Sequence, residues 1–150
     1  MTKTPLALAS ILTLGLLAAG AAGAERAQEK ERKIELRPGQ AVIIPVAIVD
    51  QGVVIGVPRG VKPGAAAPED GEIEVEVVKQ GLSPYAELSA SQKTEVPIDF
   101  VASGLIGNIK IDEVIVCGKL DAPIRTRIAS GAWTVSLHGF TVHKDGQDCR

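Results

Sequence analysis

The chain has 150 residues, with 16 basic and 18 acidic side chains and a formal net charge of −2. That balance argues against a nucleic-acid role, which requires a basic patch or a strongly basic domain. The aromatic residues are Tyr85, Phe100, Trp133 and Phe140, too few for a stacking platform or an aromatic-lined sugar groove, so the core must be built from Val, Ile, Leu and Ala.

Residues 1–24 read as a cleaved signal peptide. Lys3 and the amino terminus form a short positive region, and residues 6–19 run apolar with only Ser10, Thr13 and Gly15 as interruptions. Ala22-Gly23-Ala24 then fits a small-residue cleavage site, followed by a charged run from Glu25. The alternative is an uncleaved anchor, since residues 5–24 hold about the twenty uncharged residues of a bilayer span. The Ala and Gly content and the ready cleavage site favour export. Removing 24 of the 150 residues leaves about 126, enough for one domain with one core. The expected organisation is a signal peptide over 1–24, a charged flexible segment over 25–33 and a single domain over 34–150, periplasmic or secreted, without a stable membrane span after cleavage.

After residue 33, dense β-branched residues with recurring Gly or Pro predict an all-β fold, a single antiparallel β-sandwich of roughly seven to nine strands, immunoglobulin-like in general form. Ile34 and Leu36 alternate with charges, Pro38-Gly39 supplies a turn, and residues 41–49 return as a buried strand. Pro45 within that run has no N–H for a ladder and predicts an edge or a bulge. Gln51-Gly52 reads as a tight connection to a strand over 53–57.

Residues 58–71, rich in Pro, Gly and Ala, read as one long irregular loop. Long loops in compact domains are functional or disordered, so this is the candidate contact loop, with Arg59 and Lys62 at its start and Glu69 and Asp70 at its end.

Glu72-Ile73-Glu74-Val75-Glu76-Val77 gives the clearest alternation, three carboxylates on one face and three aliphatic side chains on the other. Residues 124–128 repeat the form with Arg125 and Arg127 outward, and would pair charges with the glutamates if the two strands were neighbours. Further strands are expected over 85–90, 96–102 and 109–117, with turns at Gly81, Pro84, Ser103-Gly104 and Gly107-Asn108. A phase shift near Asp112-Glu113 predicts a bulge. A second one at Gly139 would bring Trp133, Val135, Leu137, Phe140 and Val142 to the core side. The two Pro-led strands closed by Ala-Ser-Gly, at 96–104 and 122–131, are similar punctuation; two copies do not make a repeat architecture.

Cys117 and Cys149 are the only cysteines, and in an exported chain an even count predicts a disulfide. His138 and His143, five residues apart on a strand, are about 13 to 16 Å apart and cannot share one zinc. A metal site would need His143 with Asp145, Asp148 or a residue from another strand, and no metal or other cofactor is predicted. Ser103 and Ser130 lie in Ala-Ser-Gly turns, outside any G-x-S-x-G elbow, and the glutamates of 72–76 line an open face, whereas glycosidase carboxylates flank a cleft. No catalytic residue is therefore predicted.

The resulting expectation is an exported, non-catalytic binding or assembly module that acts through a loop or a sheet edge on another exported or envelope protein. The alternatives are a structural envelope-associated subunit or, with less support, a metal-binding protein or enzyme.

Overall fold

A computed structural model describes residues 33–79, 85–129, 131–146 and 148–149. The expected signal peptide and nearly all of the charged 25–33 segment lie outside the described residues, as do Gly81, Pro84 and Ser130.

The described strands are β1 (Ile34–Leu36), β2 (Gln40–Val49), β3 (Gly52–Ile55), β4 (Arg59–Val61), β5 (Glu72–Lys79), β6 (Tyr85–Lys93), β7 (Ile98–Ile106), β8 (Ile109–Val116), β9 (Ile124–Ala129) and β10 (Thr134–Val142). Among the described residues no helix occurs, and none is long and apolar enough to cross a membrane. A four-stranded sheet runs β1-β10-β7-β8, and a six-stranded sheet runs β3-β2-β5-β6-β9 with β4 also on β2. Every pairing is antiparallel.

The two sheets share one core, as alternation dictates. Ile98, Phe100, Val135 and Leu137 of the first meet Ile44, Ile73, Val75, Val77 and Leu88 of the second, all fully buried. This two-sheet arrangement is consistent with a β-sandwich. Ten strands exceed the expected seven to nine, and the excess is partly formal. β3 pairs with β2 as Val46↔Ile55 and β4 continues as Ile43↔Arg59, so the two are one strand interrupted by a one-residue slip at residues 56–58. β4 falls within the expected 58–71 loop, and its Gly60 and Val61 carry no periodic signal that would mark a strand. The segment read as one loop thus begins as a strand, and the irregular stretch starts at Lys62.

That slip accounts for Pro45. The Pro45 carbonyl accepts the Gly56 N–H at 2.7 Å, so the nitrogen of Pro45 faces the same bulge, where no ladder donor is required. The β2–β3 turn is centred on Asp50 and Gln51, both at positive φ (49° and 65°), one residue before the expected Gln51-Gly52 connection. Two positive-φ central residues make it a type I′ turn, whose twist suits a hairpin.

The Gly139 bulge is present: the register slips between His138↔Val101 and Thr141↔Asp99, and Gly139 has φ 63°. It turns Phe140 onto the core, stacked on Phe100 with centroids 5.4 Å apart. Trp133 departs from the expectation and is 71% exposed, because it precedes β10 at the open end of the sheet. The β8 slip falls at Ile111, where Gly104↔Asp112 gives way to Leu105↔Lys110. The expected Ser103-Gly104 turn is the interior of β7. Gly104 is there for close packing, since a Cβ on it would lie 3.2 Å from the Ala132 Cβ and 3.3 Å from the Ile128 Cγ1.

Candidate functional site

The outer face of the four-stranded sheet carries the molecule's polar chemistry. Outward positions of β7 are Asp99, Val101 and Ser103, and the two polar ones find partners on the flanking strands or on the segments just beyond them. Asp99 interrupts the apolar run of β7 and is 1% exposed. Its Oδ1 accepts the Gly118 N–H at 2.8 Å, and the His143 Nδ1 lies 3.0 Å from both carboxylate oxygens. An ionised carboxylate only accepts, so Nδ1 is the donor. The His143 backbone N–H is bound by the Pro97 carbonyl at 2.9 Å, which fixes the start of the tail across the sheet end.

The expected disulfide stands beside this pair. Cys117, just past β8, is joined to Cys149 in the tail, with Cα atoms 5.6 Å apart. A ring nitrogen of His143 and both sulfurs lie within 4.8 Å of one another. Neither Asp145 nor Asp148 belongs to this group, whose two sulfurs are joined to each other in the disulfide.

His138 belongs to a separate network. Ser103 Oγ donates to Glu113 Oε2 at 2.9 Å and lies 3.0 Å from His138 Nε2, while Lys110 Nζ donates to the same Glu113 oxygen at 2.9 Å. The ammonium of Lys110, and then the hydroxyl of Ser103, hold the Glu113 carboxyl below its ordinary range. Because the serine proton goes to Glu113, His138 donates into Ser103 Oγ. A nucleophile–base pair needs the reverse direction, with the acid orienting the histidine. Ser136, opposite Ser103 in the register, is buried with an Oγ that has no hydrogen-bond partner.

The six-stranded sheet carries the charged faces. β6 separates β5 from β9, so the glutamates of β5 do not meet Arg125 and Arg127 across a ladder. Glu72 pairs with Arg59 through two contacts of 2.8 and 3.2 Å, and Arg125 lies 3.6 Å from Glu87 of β6. Glu74 is left between buried neighbours; partial burial, and then repulsion from Glu76, raises its pKa.

Of the four contact-loop residues, Arg59 and Glu69 meet on one carboxylate, that of Glu72, with Asp70 next in the chain, while Lys62 lies in the irregular stretch between them. Arg59 is on β4 and tied to Glu72; Asp70 pairs with Lys93 at 2.9 Å, which raises the Lys93 pKa. Glu69 exchanges backbone bonds with Glu72, its N–H reaching the carboxylate at 2.9 Å and its carbonyl accepting the Glu72 N–H at 3.0 Å. Lys62 opens a short turn closed by Ala65 N–H to its carbonyl. The loop is therefore pinned at both ends. Asp70 and Lys93 also border an open cleft of about 680 Å³ with Val46, Ile48, Glu95 and Ile98.

One apolar surface stands out at the opposite kind of position, the free end of the four-stranded sheet. Ile106 of β7 pairs with Ile109 of β8, and the Trp133 N–H, just before β10, binds the Leu105 carbonyl at 2.8 Å, so Trp133, Ile106 and Ile109 form a row across the end of the sheet. Trp133 is 71% and Ile109 69% exposed, and Ile111 at the bulge adds to them. These residues have the inward parity of their strands but overhang the core. The row was not legible as a site because apolar alternation marks a core face whether or not the opposite sheet reaches that far. Asp99 had a signal, a single carboxylate inside the apolar run of residues 98–102. Comparison with family models, with curated proteins and with solved structures finds no match to this chain.

Proposed function

We propose that the chain is an exported, non-catalytic binding or assembly module, delivered by residues 1–24 as a cleaved signal peptide and immunoglobulin-like in general form. It engages another exported or envelope protein through the free end and edge of the four-stranded sheet. The observation that carries this reading is the exposed row of Trp133, Ile106 and Ile109, continuous with the edge strand β8. Exposed aromatic and aliphatic side chains beside an unpaired strand suit addition of a partner's extended segment, with main-chain bonds for affinity and the apolar row for specificity.

The other edges are less suited. The six-stranded sheet ends on one side at the interrupted β3 and β4, and on the other at β9, where the Asp112 carboxylate accepts the Ala129 N–H at 2.8 Å and arginines face outward. The disulfide fits an oxidising compartment, in keeping with export.

A photo-activated cross-linker placed at Ile109, at Lys62 or at Val49 of the exported chain tests this reading. Adducts to one protein at Ile109, lost in Trp133→Glu, support it. Adducts concentrated at Lys62 would assign the contact to the loop, and equal or absent adducts at all three positions would overturn it.

A further inference from the structure

We propose that Cys117, Cys149 and His143, once their disulfide is reduced, form a three-ligand site for a thiophilic d10 cation of the Zn²⁺ class, with Asp99 positioning the imidazole. Three observations converge on it. First, a ring nitrogen of His143 and both sulfurs already lie within 4.8 Å of one another. Tetrahedral zinc with Zn–S near 2.3 Å and Zn–N near 2.0 Å places its sulfurs about 3.8 Å apart and sulfur and nitrogen about 3.6 Å apart. Side-chain rotation of Cys149, in the exposed tail, supplies that difference.

Second, His143 has the hydrogen bond that ligating histidines use. Its Nδ1 is held 3.0 Å from both oxygens of a carboxylate that is 1% exposed, which leaves the lone pair on Nε2. Third, the same carboxylate binds the N–H of Gly118, the residue after Cys117, at 2.8 Å. Asp99 therefore holds both the imidazole and the backbone beside one thiol. Two thiolates and one imidazole are the donors that select soft or borderline cations over Mg²⁺ and Ca²⁺. The fourth position is left to water.

The chemistry balances with a dithiol reductant. It gives two electrons and two protons and becomes its own disulfide, while the Cys117–Cys149 bond breaks to two thiols. Zn²⁺ then forms two Zn–S bonds and one Zn–N bond and releases both thiol protons to solvent. The oxidised protein has no thiolate to offer, so metal capacity follows the redox state of the pair.

The test uses the mature chain, reduced with a phosphine and titrated with Co²⁺ and then Zn²⁺. The expected result is a thiolate-to-cobalt absorption band that saturates at one Co²⁺ per chain, bleaches with Zn²⁺ and is absent from the oxidised protein. His143→Ala should weaken Co²⁺ binding at least tenfold. Asp99→Asn, which keeps an acceptor for Gly118, should retain the thiolate band and lose about ten- to a hundredfold in affinity. Where reduction unfolds the chain, Zn²⁺ should restore its far-ultraviolet circular dichroism. No thiolate band, equal affinity in His143→Ala, or a reduced chain that Zn²⁺ does not refold would each overturn the proposal.

Discussion

Gln92, near the end of β6 in one sheet, holds both backbone groups of Ile98, at the start of β7 in the other. Its Nε2 donates to the Ile98 carbonyl at 2.5 Å and its Oε1 accepts the Ile98 N–H at 3.0 Å. The side-chain amide thus acts as one rung of a ladder across the crossover between sheets. Gln92 is buried, so Gln92→Ala strands an N–H and a carbonyl away from water, and should lower stability by about 2 to 3 kcal/mol, measured by urea denaturation.

Gly118 sits against the same rung. A Cβ there would lie 2.5 Å from the Ile98 nitrogen and 2.6 Å from its carbonyl oxygen, and backbone atoms cannot yield as a flexible side chain would. Gly118→Ala should cost about 3 kcal/mol or more, and amide exchange should show early loss of protection at Ile98.

Glu74 makes stability depend on pH in a defined direction. Its raised pKa means that the folded chain binds the proton more tightly than the unfolded chain, whose carboxyl titrates near 4.5. Stability from this group is present in acid and lost as pH rises through the folded value. Glu74→Gln should therefore stabilise the fold at pH 7, by about a few tenths of a kcal/mol after solvent screening, with the difference fading as pH falls below 4.5. Thermal unfolding of both proteins across that range measures it.

At the β2–β3 turn, Gln51 has φ 65° without a side chain suited to it. Gln51→Gly relieves that strain against a smaller entropic cost, and should stabilise the fold by about 0.5 to 1 kcal/mol in the same denaturation assay.

Ser136 carries a buried hydroxyl with no partner. Ser136→Ala removes an unsatisfied group while keeping the strand, and should leave stability unchanged or raise it by about 1 kcal/mol, as read from Tm.

Local rules made some of this molecule readable in its sequence. The alternation of residues 72–77, the Gly39 turn, the Gly139 bulge and the Cys117–Cys149 pairing each depend on near neighbours or on a choice of one. What sequence could not supply were relations between distant segments. β5 and β9 have complementary charges yet are separated by β6, because strand order follows the crossovers and not surface charge. Gln92 reads as a polar strand residue, and its partner lies across a change of sheet. The Asp99–His143 contact spans 44 residues, and only the carboxylate's interruption of an apolar run marked one end of it.

The Cys117–Cys149 link has a mechanical consequence. Tension applied to the chain beyond Cys149 passes through the disulfide to Cys117 and into the end of β8, bypassing β9 and β10, which lie within the 32-residue loop. β8 is an edge strand hydrogen-bonded along its length to β7, so such a pull loads one strand pair first, while β10, between β1 and β7, is shielded. In the reduced chain the same pull would enter β10 directly, so the redox state decides which strand yields.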